Sequence, residues 1–375
     1  MSVLFISNIE KSETEGIYKK VKHQAMAASR YKSVCYLVCK KNGQVLISKF
    51  VNGEEMELVI PNKKISSNNH TLYLNILLES KKIINDEVDS IYIRHALIPR
   101  FELLKLLLFA KKKNKKIIYE IPTYPYFGEQ YKGSKNKVKT SLKLMVECIL
   151  WPLIYILIDK CVVIRSNSNV KIYKKMFNIT NGINTKLIKA KLCKYNDYEF
   201  QILGLGTIYN YHGYEKILYS IKNCDGKIGQ KIIKFHIVGE SECIEKLKLL
   251  TESLNIEDHI VFHGKRTGEN LDEIFDNVDI AVGCLALYRR NADIDTTLKV
   301  IEYLVRGVPF ITSGHIENVN PVKKTYIKIP NDNTPVNIKN LMDFADSLSF
   351  QDLSISREMA IKNFDWDYIM KDVLK

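Results

Sequence analysis

The sequence predicts two doubly wound α/β domains that face a cleft, and three observations lead to this fold class. The chain has 375 residues, more than one ordinary hydrophobic core accommodates. Apolar strand-like segments alternate with amphipathic helical segments through both halves, which is typical of parallel sheets covered by helices. Charge is uneven: residues 1–195 hold 35 Lys and Arg against 15 Asp and Glu, a net charge of +20, whereas the remainder holds 21 against 27, a net charge of −6. We therefore expect one domain at 1–190 and a second at 198–354.

The first half divides into strands and helices by the period of its apolar residues. The segment 141–158 (SLKLMVECILWPLIYILI) is the most apolar of the chain. It is shorter than the ~20 residues of a membrane-spanning helix, and Glu147 and Pro152 interrupt it. A core helix and an interfacial helix beside the basic loop 132–139 both remain open. The pattern predicts strands at 2–7, 34–38, 44–50, 90–94, 116–121 and 160–164, and helices at 17–30, 72–85, 101–113 and 168–176.

The second half repeats the alternation after a polar, lysine-rich connection at 177–199. Because the carboxyl ends of parallel strands meet at one edge of a sheet, ligand-binding side chains are expected just after each strand. The pattern predicts strands at 200–206, 231–239, 259–264, 279–285, 310–312 and 325–329, with helices at 214–223, 243–256, 271–278 and about 297–306.

The stretch at 296–314 (TTLKVIEYLVRGVPFITSG) predicts a capped helix that leads into a buried strand. Thr296 or Thr297 would cap its start, and Gly307 suits the left-handed residue just past its end. Free backbone amides at a helix start bind anions such as phosphate. The first turn, with Leu298 and Lys299, therefore offers amides and a cation.

Glu302 lies one turn later on the same helix and offers a carboxylate. A sugar nucleotide needs neutralisation of its phosphates at one end and acceptors for its ribose hydroxyls at the other. This spacing of Lys299 and Glu302 matches that need, although a capped surface helix would have the same pattern.

The loop after strand 200–206 reads GLGTIYNYHGYE and contains Gly206, Thr207 and His212. It lacks the third glycine of the dinucleotide fingerprint G-x-G-x-x-G, which removes the main support for NAD binding. Its glycines still allow a backbone to approach a phosphate closely, and His212 could face a diphosphate.

Two further strand ends offer polar groups. His263 and Gly264 end the strand at 259–264, where backbone groups could meet a nucleobase. Arg289 and Arg290 follow the strand at 279–285, and one of them could form a bidentate pair with a phosphate.

Several classes of function are disfavoured. The eight cysteines include no Cys-x-x-Cys, and there is no histidine cluster at metal-ligand spacing, so we expect neither a structural zinc site nor a metal cofactor. The lysine runs lack interleaved aromatic residues and no nucleic-acid-binding motif is present, so nucleic acid is not expected as a partner. The apolar run at the N-terminus is too short for a signal peptide. We expect a reduced, cytoplasmic protein whose basic first domain can lie against the anionic inner face of a membrane.

The order of these motifs resembles the nucleotide-binding half of GT-B glycosyltransferases, and most closely the retaining group often called family 4, including enzymes of bacterial capsule and exopolysaccharide synthesis. The resemblance rests on a strand with G-x-G, then HIVG, VFHG, a DIAVG strand and the segment Glu302–Phe310 (E-x-x-x-x-G-x-P-F). It covers essentially the whole chain and is most specific at 200–314. The tail FDWDYIMKDVL looks like the family's final helix, so the resemblance implies that a helix at about 355–375 crosses back to the first domain.

Donor-binding residues follow from the resemblance position by position. Glu302 matches the glutamate that holds the ribose hydroxyls. The family's other glutamate, eight positions earlier, is replaced by Ile294, which Asp293 and Asp295 flank. The sugar contact would then either move to a flanking carboxylate, with Asp295 as the candidate, or be absent. The Arg/Lys pair that commonly follows the first strand of this half has no match here. Lys299, with Thr297 and supported by Arg289, is therefore the expected phosphate ligand.

The first domain would contact the acceptor. The resemblance places His95 after a central strand, where it would bind a donor-sugar hydroxyl or deprotonate the acceptor. Glu120 or Glu129, which bracket the loop TYPY, would be the acceptor-side carboxylate. Gly16 would allow close backbone approach to the diphosphate.

The resemblance implies a metal-independent, retaining glycosyltransferase that uses a UDP- or GDP-linked sugar. Its acceptor would be a lipid-linked or oligosaccharide precursor of a cell-surface polysaccharide. Two alternatives stay open: a non-catalytic GT-B-like module, which the lost glutamate and Arg/Lys pair favour, and a sugar-nucleotide epimerase or hydrolase.

Overall fold

The computed structural model describes residues 2–12, 16–61, 65–192, 196–319 and 325–375, and the chain divides into two compact units. Unit 1 comprises 1–165, 169–184 and 366–375, and unit 2 comprises 166–168 and 185–365. The segment that returns to unit 1 thus begins at Trp366 rather than near residue 355, because the preceding helix packs in unit 2.

Unit 1 is an eight-stranded sheet with the strand order β4-β3-β2-β1-β5-β6-β7-β8. Strands β2, β3 and β4 pair antiparallel, and the other neighbours pair parallel. Its strands are β1 (Ser2–Glu10), β2 (Val34–Lys41), β3 (Gln44–Val51), β4 (Glu54–Val59), β5 (Val88–Arg94), β6 (Lys116–Tyr124), β7 (Lys160–Arg165) and β8 (Met176–Asn178). Its helices are α1 (Gly16–Lys32), α2 (Asn69–Ile83), α3 (Phe101–Lys112), α4 (Phe127–Gly133), α5 (Lys137–Leu157) and the last helix of the chain, α12 (Trp366–Leu374).

Successive residues of the unit 1 strands face opposite sides of the sheet, so each side carries its own core. Leu4 and Ile6 pack against α2, α3 and α5, whereas Val3 and Phe5 pack against α1 and α12. The final helix α12 therefore covers the same side of the unit 1 sheet as α1.

Unit 2 is a second, mostly parallel sheet. Its parallel strands lie in the order β12-β11-β9-β13-β14-β15, which is the 3-2-1-4-5-6 order of a Rossmann fold. Its strands are β9 (Glu199–Leu205), β10 (Lys227–Ile228), β11 (Lys231–Val238), β12 (Ile260–Gly264), β13 (Ile280–Val282), β14 (Phe310–Thr312) and β15 (Tyr326–Lys328). Its helices are α6 (Glu215–Asn223), α7 (Cys243–Leu254), α8 (Glu269–Asn277), α9 (Leu298–Arg306), α10 (Ile338–Asp346) and α11 (Phe350–Phe364).

The predicted helix at 168–176 is wrong. These residues form turns that lead into β8, and the backbone N–H of Cys161 on β7 donates to the carbonyl of Lys175 (2.8 Å). The Lys175 ammonium donates to carbonyls at the end of α5, among them that of Ile158 (2.8 Å). These tertiary contacts override the local helical pattern.

Helix α5 is longer than the sequence predicted, because it begins at Lys137 and continues through Pro152. By length and composition alone it would suffice to cross a membrane. One face is nevertheless buried against unit 1 through Thr140, Leu144, Glu147, Leu150 and Ile154.

Candidate functional site

The switch point of the unit 2 sheet lies between β9 and β13, where the strand order reverses and where doubly wound sheets bind ligands. Glycines bring the loops at this edge close together. Gly206 has φ +114°, and a Cβ added to Gly239 would lie 1.9 Å from the Gly206 carbonyl oxygen. Gly204 leaves room for the Tyr214 ring, which a Cβ would approach to 2.7 Å.

Lys299 from the first turn of α9 reaches into this edge. Its side chain is buried, and its Nζ donates to the Tyr214 hydroxyl (3.1 Å). Its Cε lies 3.4 Å from the position of a Cβ on Gly206. No carboxylate comes within ion-pair distance of Nζ among the described residues. The pKa of Lys299 is lowered to about 8, chiefly by burial; Cys284 and Asp295 oppose this shift, and the positive charge of Arg290 adds to it.

His212 forms one wall around the Lys299 ammonium. Nζ lies 3.3 Å from His212 Nδ1 and 3.2 Å from Nε2, so it is nearly equidistant from the two ring nitrogens. The Tyr209 backbone N–H donates to Nδ1 (3.1 Å). Burial, together with the charges of Lys299 and Arg290, holds the pKa of His212 well below its usual value. The imidazole is therefore neutral at physiological pH, and the positive charge of the cluster belongs to Lys299 and Arg290.

The arginine beside this cluster is Arg290, not the predicted Arg289. The Arg289 guanidinium pairs with Glu215 (2.6 Å) and donates to the side chain and carbonyl of Asn210 (2.8 and 2.7 Å). Arg290 instead lies over the Tyr211 ring, 4.5 Å from its centroid, and its charge acts on both His212 and Lys299.

The prediction that Asp295 contacts the donor sugar is wrong. Its carboxylate is buried and accepts four hydrogen bonds from the protein: from the Cys284 N–H (3.0 Å), the Thr312 hydroxyl (2.7 Å), and the N–H and hydroxyl of Thr297 (3.1 and 2.6 Å). A carboxylate with this many donors has little capacity left for a ligand. Ile294, at the position of the family's first glutamate, is buried as well.

The start of α9 is arranged differently from a capped helix. Thr297 occupies the N-cap position, but its hydroxyl donates to Asp295 and makes no cap hydrogen bond. Thr296 is half-buried beside it. The Thr297 side chain therefore does not cap the first amides of α9, which begin at Leu298. A helix start that binds an anion needs such uncapped amides. The end of the helix is as predicted, with Gly307 at φ +73°.

Glu302 is half-buried on the second turn of α9. One carboxylate oxygen accepts from the Arg306 Nε (2.9 Å), and Arg306 also pairs with Asp272 (2.7 Å). No other hydrogen bond to Glu302 is found in the described part of the chain. Arg306 thus fixes the carboxylate and leaves its second oxygen able to accept from hydroxyl groups.

The remaining predicted donor residues of unit 2 lie at the same edge. Thr207 is exposed in the loop after β9. The His263 side chain is 2.9 Å from His236 Nδ1, so its ring pairs within the protein. Gly264 has φ +64°, and its carbonyl accepts from the Gly239 N–H (2.9 Å).

In unit 1 the prediction that Glu120 contacts the acceptor is wrong. Its carboxylate is fully buried and pairs with Lys20 (3.0 Å) and Arg94 (2.8 Å). The Tyr92 hydroxyl (2.8 Å) and the Gln24 amide (3.3 Å) also donate to it. Although burial raises the pKa of a carboxyl group, the two cations bring that of Glu120 down to about 2. Glu120 is the anion of a structural cluster that joins α1, β5 and β6.

The His95 side chain is largely enclosed by unit 1, and its contact with the donor sugar or the acceptor stays a prediction. Its Nδ1 lies 3.0 Å from the Tyr119 hydroxyl, and its Nε2 lies 3.4 Å from Glu147 on α5. The Tyr126 hydroxyl donates to the same Glu147 oxygen. Burial lowers the pKa of His95 to about 4 and raises that of Glu147 to about 7. At neutral pH, His95 is uncharged and Glu147 is partly protonated.

Two other predicted residues of unit 1 carry less information. Gly16 is the exposed first residue of α1. The side chain of Glu129 lies outside the described residues.

Sequence reasoning missed Tyr214 as a member of the cluster around Lys299, and of the two candidate arginines it selected Arg289 rather than Arg290. The sequence signal for Tyr214 was Gly204, since a glycine in mid-strand indicates close approach of another group. Among the described residues, no group of three or more His, Cys, Asp or Glu side chains is arranged to hold a metal ion.

Comparisons with known proteins identify one matching family model and several structures of similar fold. Residues 199–344 match the family model described as Glycosyl transferases group 1. No curated protein matches the sequence. Among solved structures, sucrose-phosphate synthase from Thermosynechococcus elongatus is 15% identical with a TM-score of 0.63, and the match covers 98% of this chain and 96% of that one.

Two further structures are similar over almost their whole length. HepE from Anabaena, determined in complex with UDP, is 13% identical with a TM-score of 0.64 and coverage of 100% and 98%. The lipopolysaccharide outer core galactosyltransferase WaaB in its apo form is 13% identical with a TM-score of 0.55 and coverage of 99% and 98%. The chain therefore has the GT-B fold of two Rossmann-like domains, and its second unit carries the match to the group 1 glycosyltransferases.

Proposed function

We propose that the protein is a metal-independent glycosyltransferase that moves a sugar, with retention of configuration, from a nucleotide-sugar donor to a lipid-linked or oligosaccharide acceptor of cell-surface polysaccharide synthesis. The observation that carries the proposal is the buried Lys299 ammonium at the switch point of the unit 2 sheet. A buried cation without a paired carboxylate is unfavourable, and an arriving anion stabilises it. The match of residues 199–344 to the group 1 family supports the diphosphate group of a nucleotide sugar as that anion.

The chemistry follows from where charge develops. As the bond between the sugar and the diphosphate breaks, negative charge accumulates on the leaving phosphate. Lys299, with the uncapped amides at the start of α9, would stabilise that charge, and fixed cations and amides in a buried site are effective because they need no reorganisation. Glu302, oriented by Arg306, would accept hydrogen bonds from the ribose hydroxyls.

The nucleotide can be identified by thermal unfolding of the full chain with UDP, GDP, ADP and CMP, each at millimolar concentration. Binding at 100 times the dissociation constant adds ~2.7 kcal/mol to the stability of the native state. We expect a shift with one nucleotide only, and UDP is the first to test because the related HepE structure contains it. The same shift in Lys299→Met would refute the assignment of the phosphate site.

A non-catalytic module is the second candidate, and Ile294 together with the fully hydrogen-bonded Asp295 favours it. An activity assay distinguishes the transferase from the non-catalytic module. The matching nucleotide sugar is incubated with the protein, alone and together with a membrane extract that contains acceptors. Sugar transferred to the extract supports the transferase. Release of free sugar or an isomer with donor alone would indicate a hydrolase or epimerase, and no turnover of a bound donor would indicate the module.

We also propose that α5 rests on the anionic cytoplasmic face of a membrane. Apolar residues along its outward side recur every three or four positions and are exposed, including Ile149 (66% exposed) and Ile156 (70%). The stripe runs from Val138 to Ile156, about 27 Å at 1.5 Å per residue. Because the opposite face of α5 is buried in unit 1, a helix lying on the bilayer is favoured over a helix that crosses it. The stripe consists of Val138, Leu142, Met145, Val146, Ile149, Leu153 and Ile156.

Flotation with vesicles containing anionic phospholipid tests this placement. The double variant Leu142→Glu and Ile149→Glu should lose vesicle binding. The matched control is Leu249→Glu on α7, which is equally exposed (64%) but lies in unit 2. Equal loss in the control, or no loss in the double variant, would exclude α5 as the membrane contact.

A further inference from the structure

A cavity of about 520 Å³ opens in unit 1 beside the end of β6. Its volume falls within the roughly 300–1,000 Å³ of small-molecule sites. Trp151 and Tyr155, one turn apart on α5, form one wall, and Tyr173 and Met176 line it from the segment that enters β8. The rest of the lining comes from the end of β6 and the start of α4: Ile121, Tyr124, Pro125, Tyr126 and Phe127.

The lining offers ring faces and aliphatic groups, and two of its hydroxyls are turned toward the protein. The Tyr126 hydroxyl donates to Glu147, and the Tyr155 hydroxyl accepts from the Lys175 backbone N–H (3.2 Å). None of the lining residues carries a carboxylate, an amide or a cation in its side chain. A saccharide would need such groups for its hydroxyls, so the chemistry of the cavity suits a hydrocarbon.

The surroundings indicate where a hydrocarbon would come from. Trp151 and Tyr155 belong to the same helix as the exposed apolar stripe, and alternate along it with the stripe residues Leu153 and Ile156. Tyr173, at the mouth, is 57% exposed. It lies in the basic segment Lys-Ile-Tyr-Lys-Lys at 171–175, whose charge complements an anionic head group.

We propose that this cavity holds the hydrocarbon chain of a membrane lipid with an anionic phosphate head group. The lipid enters from the bilayer surface on which α5 rests. This inference deepens the proposed function, on which it depends for one step: under that function, the lipid in the cavity carries the acceptor.

The test uses the full chain and its own fluorescence, because Trp151 lines the cavity while the only other tryptophan, Trp366, is fully buried in the opposite core. Farnesyl phosphate is titrated below its micelle concentration, with butyl phosphate as a probe of the head group alone and maltose as a probe of saccharide binding. We expect a saturable change in tryptophan fluorescence with farnesyl phosphate and with neither of the other two probes. The Trp151→Phe variant should show no such fluorescence change.

Variants separate the cavity from the membrane-facing stripe. Phe127→Ser with Tyr173→Ser, both at partly exposed positions, should weaken farnesyl phosphate binding at least 10-fold. The stripe variant Leu142→Glu with Ile149→Glu should lose vesicle binding and keep farnesyl phosphate binding. Calorimetric binding of farnesyl phosphate to Trp151→Phe checks that this variant still folds and binds.

Each outcome decides the inference. An equal response to butyl phosphate would indicate an anion site, and a response to maltose would indicate a saccharide site; either overturns it, as does unchanged binding in the Phe127 and Tyr173 double variant. If UDP stabilises the chain but farnesyl phosphate does not bind, the cavity assignment fails and the proposed function stands. If farnesyl phosphate binds but neither nucleotide binding nor transfer is found, the lipid site stands and the transferase fails.

Discussion

The lowered pKa of Lys299 makes nucleotide binding depend on pH in a way that can be calculated. In the free protein the pKa is about 8, against an ordinary value of 10.5. A diphosphate beside the ammonium favours its charged form and raises the pKa in the complex. Affinity is therefore greatest below pH 8 and falls as the pH rises through the interval between the free and bound pKa values.

The magnitude follows from the two pKa values. If the bound diphosphate restores the ordinary pKa of Lys299, the affinity for UDP falls about 20-fold between pH 7.5 and pH 9.5. At its steepest, this fall in affinity approaches tenfold per pH unit. Lys299→Met keeps the length of the side chain but cannot titrate. It should bind UDP about 10- to 100-fold more weakly at pH 7.5, the loss of one charge-assisted hydrogen bond.

Isothermal titration of UDP into both proteins at pH 7.5, 8.5 and 9.5 measures the effect. Any ionisation of the nucleotide itself occurs equally in both titrations, so the difference between them isolates Lys299. The buffer dependence of the heat should also reveal proton uptake on binding to the wild type near pH 9. If wild type and Lys299→Met lose affinity in parallel, Lys299 does not contact the phosphate and the reasoning is refuted.

Three further variants test other parts of the structure. Glu302→Ala should weaken UDP binding about 10- to 100-fold by calorimetry, whereas Glu302→Gln, which still accepts from Arg306, should lose less; equal binding by all three proteins would remove Glu302 from the ribose site. Glu120→Ala leaves Lys20 and Arg94 buried without their anion, so it should lower the free energy of unfolding of unit 1, measured in urea, by about 3–5 kcal/mol. A loss below about 1 kcal/mol, as expected for an exposed ion pair, would contradict this reasoning. Because the folded-state pKa of Glu147 is raised to about 7, the folded chain binds more protons than the unfolded chain from about pH 4.5 to 7. The free energy of unfolding of the wild type should therefore fall across that interval by about 2–3 kcal/mol relative to that of Glu147→Gln. Parallel curves of stability against pH for the two proteins would show that Glu147 is not held in an apolar environment.

Local patterns allowed much of the fold to be predicted. Helix α9 and its left-handed Gly307 were predicted because helical periodicity and a glycine just past the helix end can be recognised in neighbouring residues, although the Thr297 side chain makes no cap hydrogen bond at the helix start. The segment 168–176 was assigned incorrectly because its conformation depends on contacts with β7 and the end of α5, which lie apart from it in the sequence. A local pattern carries no information about such distant partners.

The candidate site shows the same division. The positions of Lys299 and Glu302 follow from helical spacing, but the environment of a carboxylate does not. Glu120 lies within β6, and its partner Lys20 lies 100 residues away in the sequence. Two neighbouring residues can also have entirely different contacts. Within one helical turn, Arg289 pairs with Glu215, whereas Arg290 lies beside the cluster around Lys299.

Under the proposed function, Lys299 would take the place of the Arg/Lys pair that is missing after β9. An anion site requires positive charge at a point in space, and it does not matter which element supplies it. Gly206, at φ +114°, presents no side chain, and the Lys299 Cε lies 3.4 Å from the position of its absent Cβ. A lysine from α9 thus occupies the space over the loop after β9. A Gly206→Ala variant would both strain the backbone and crowd Lys299, and it should therefore reduce UDP binding even though it changes no charge; a variant that binds as tightly as wild type would place the phosphate elsewhere.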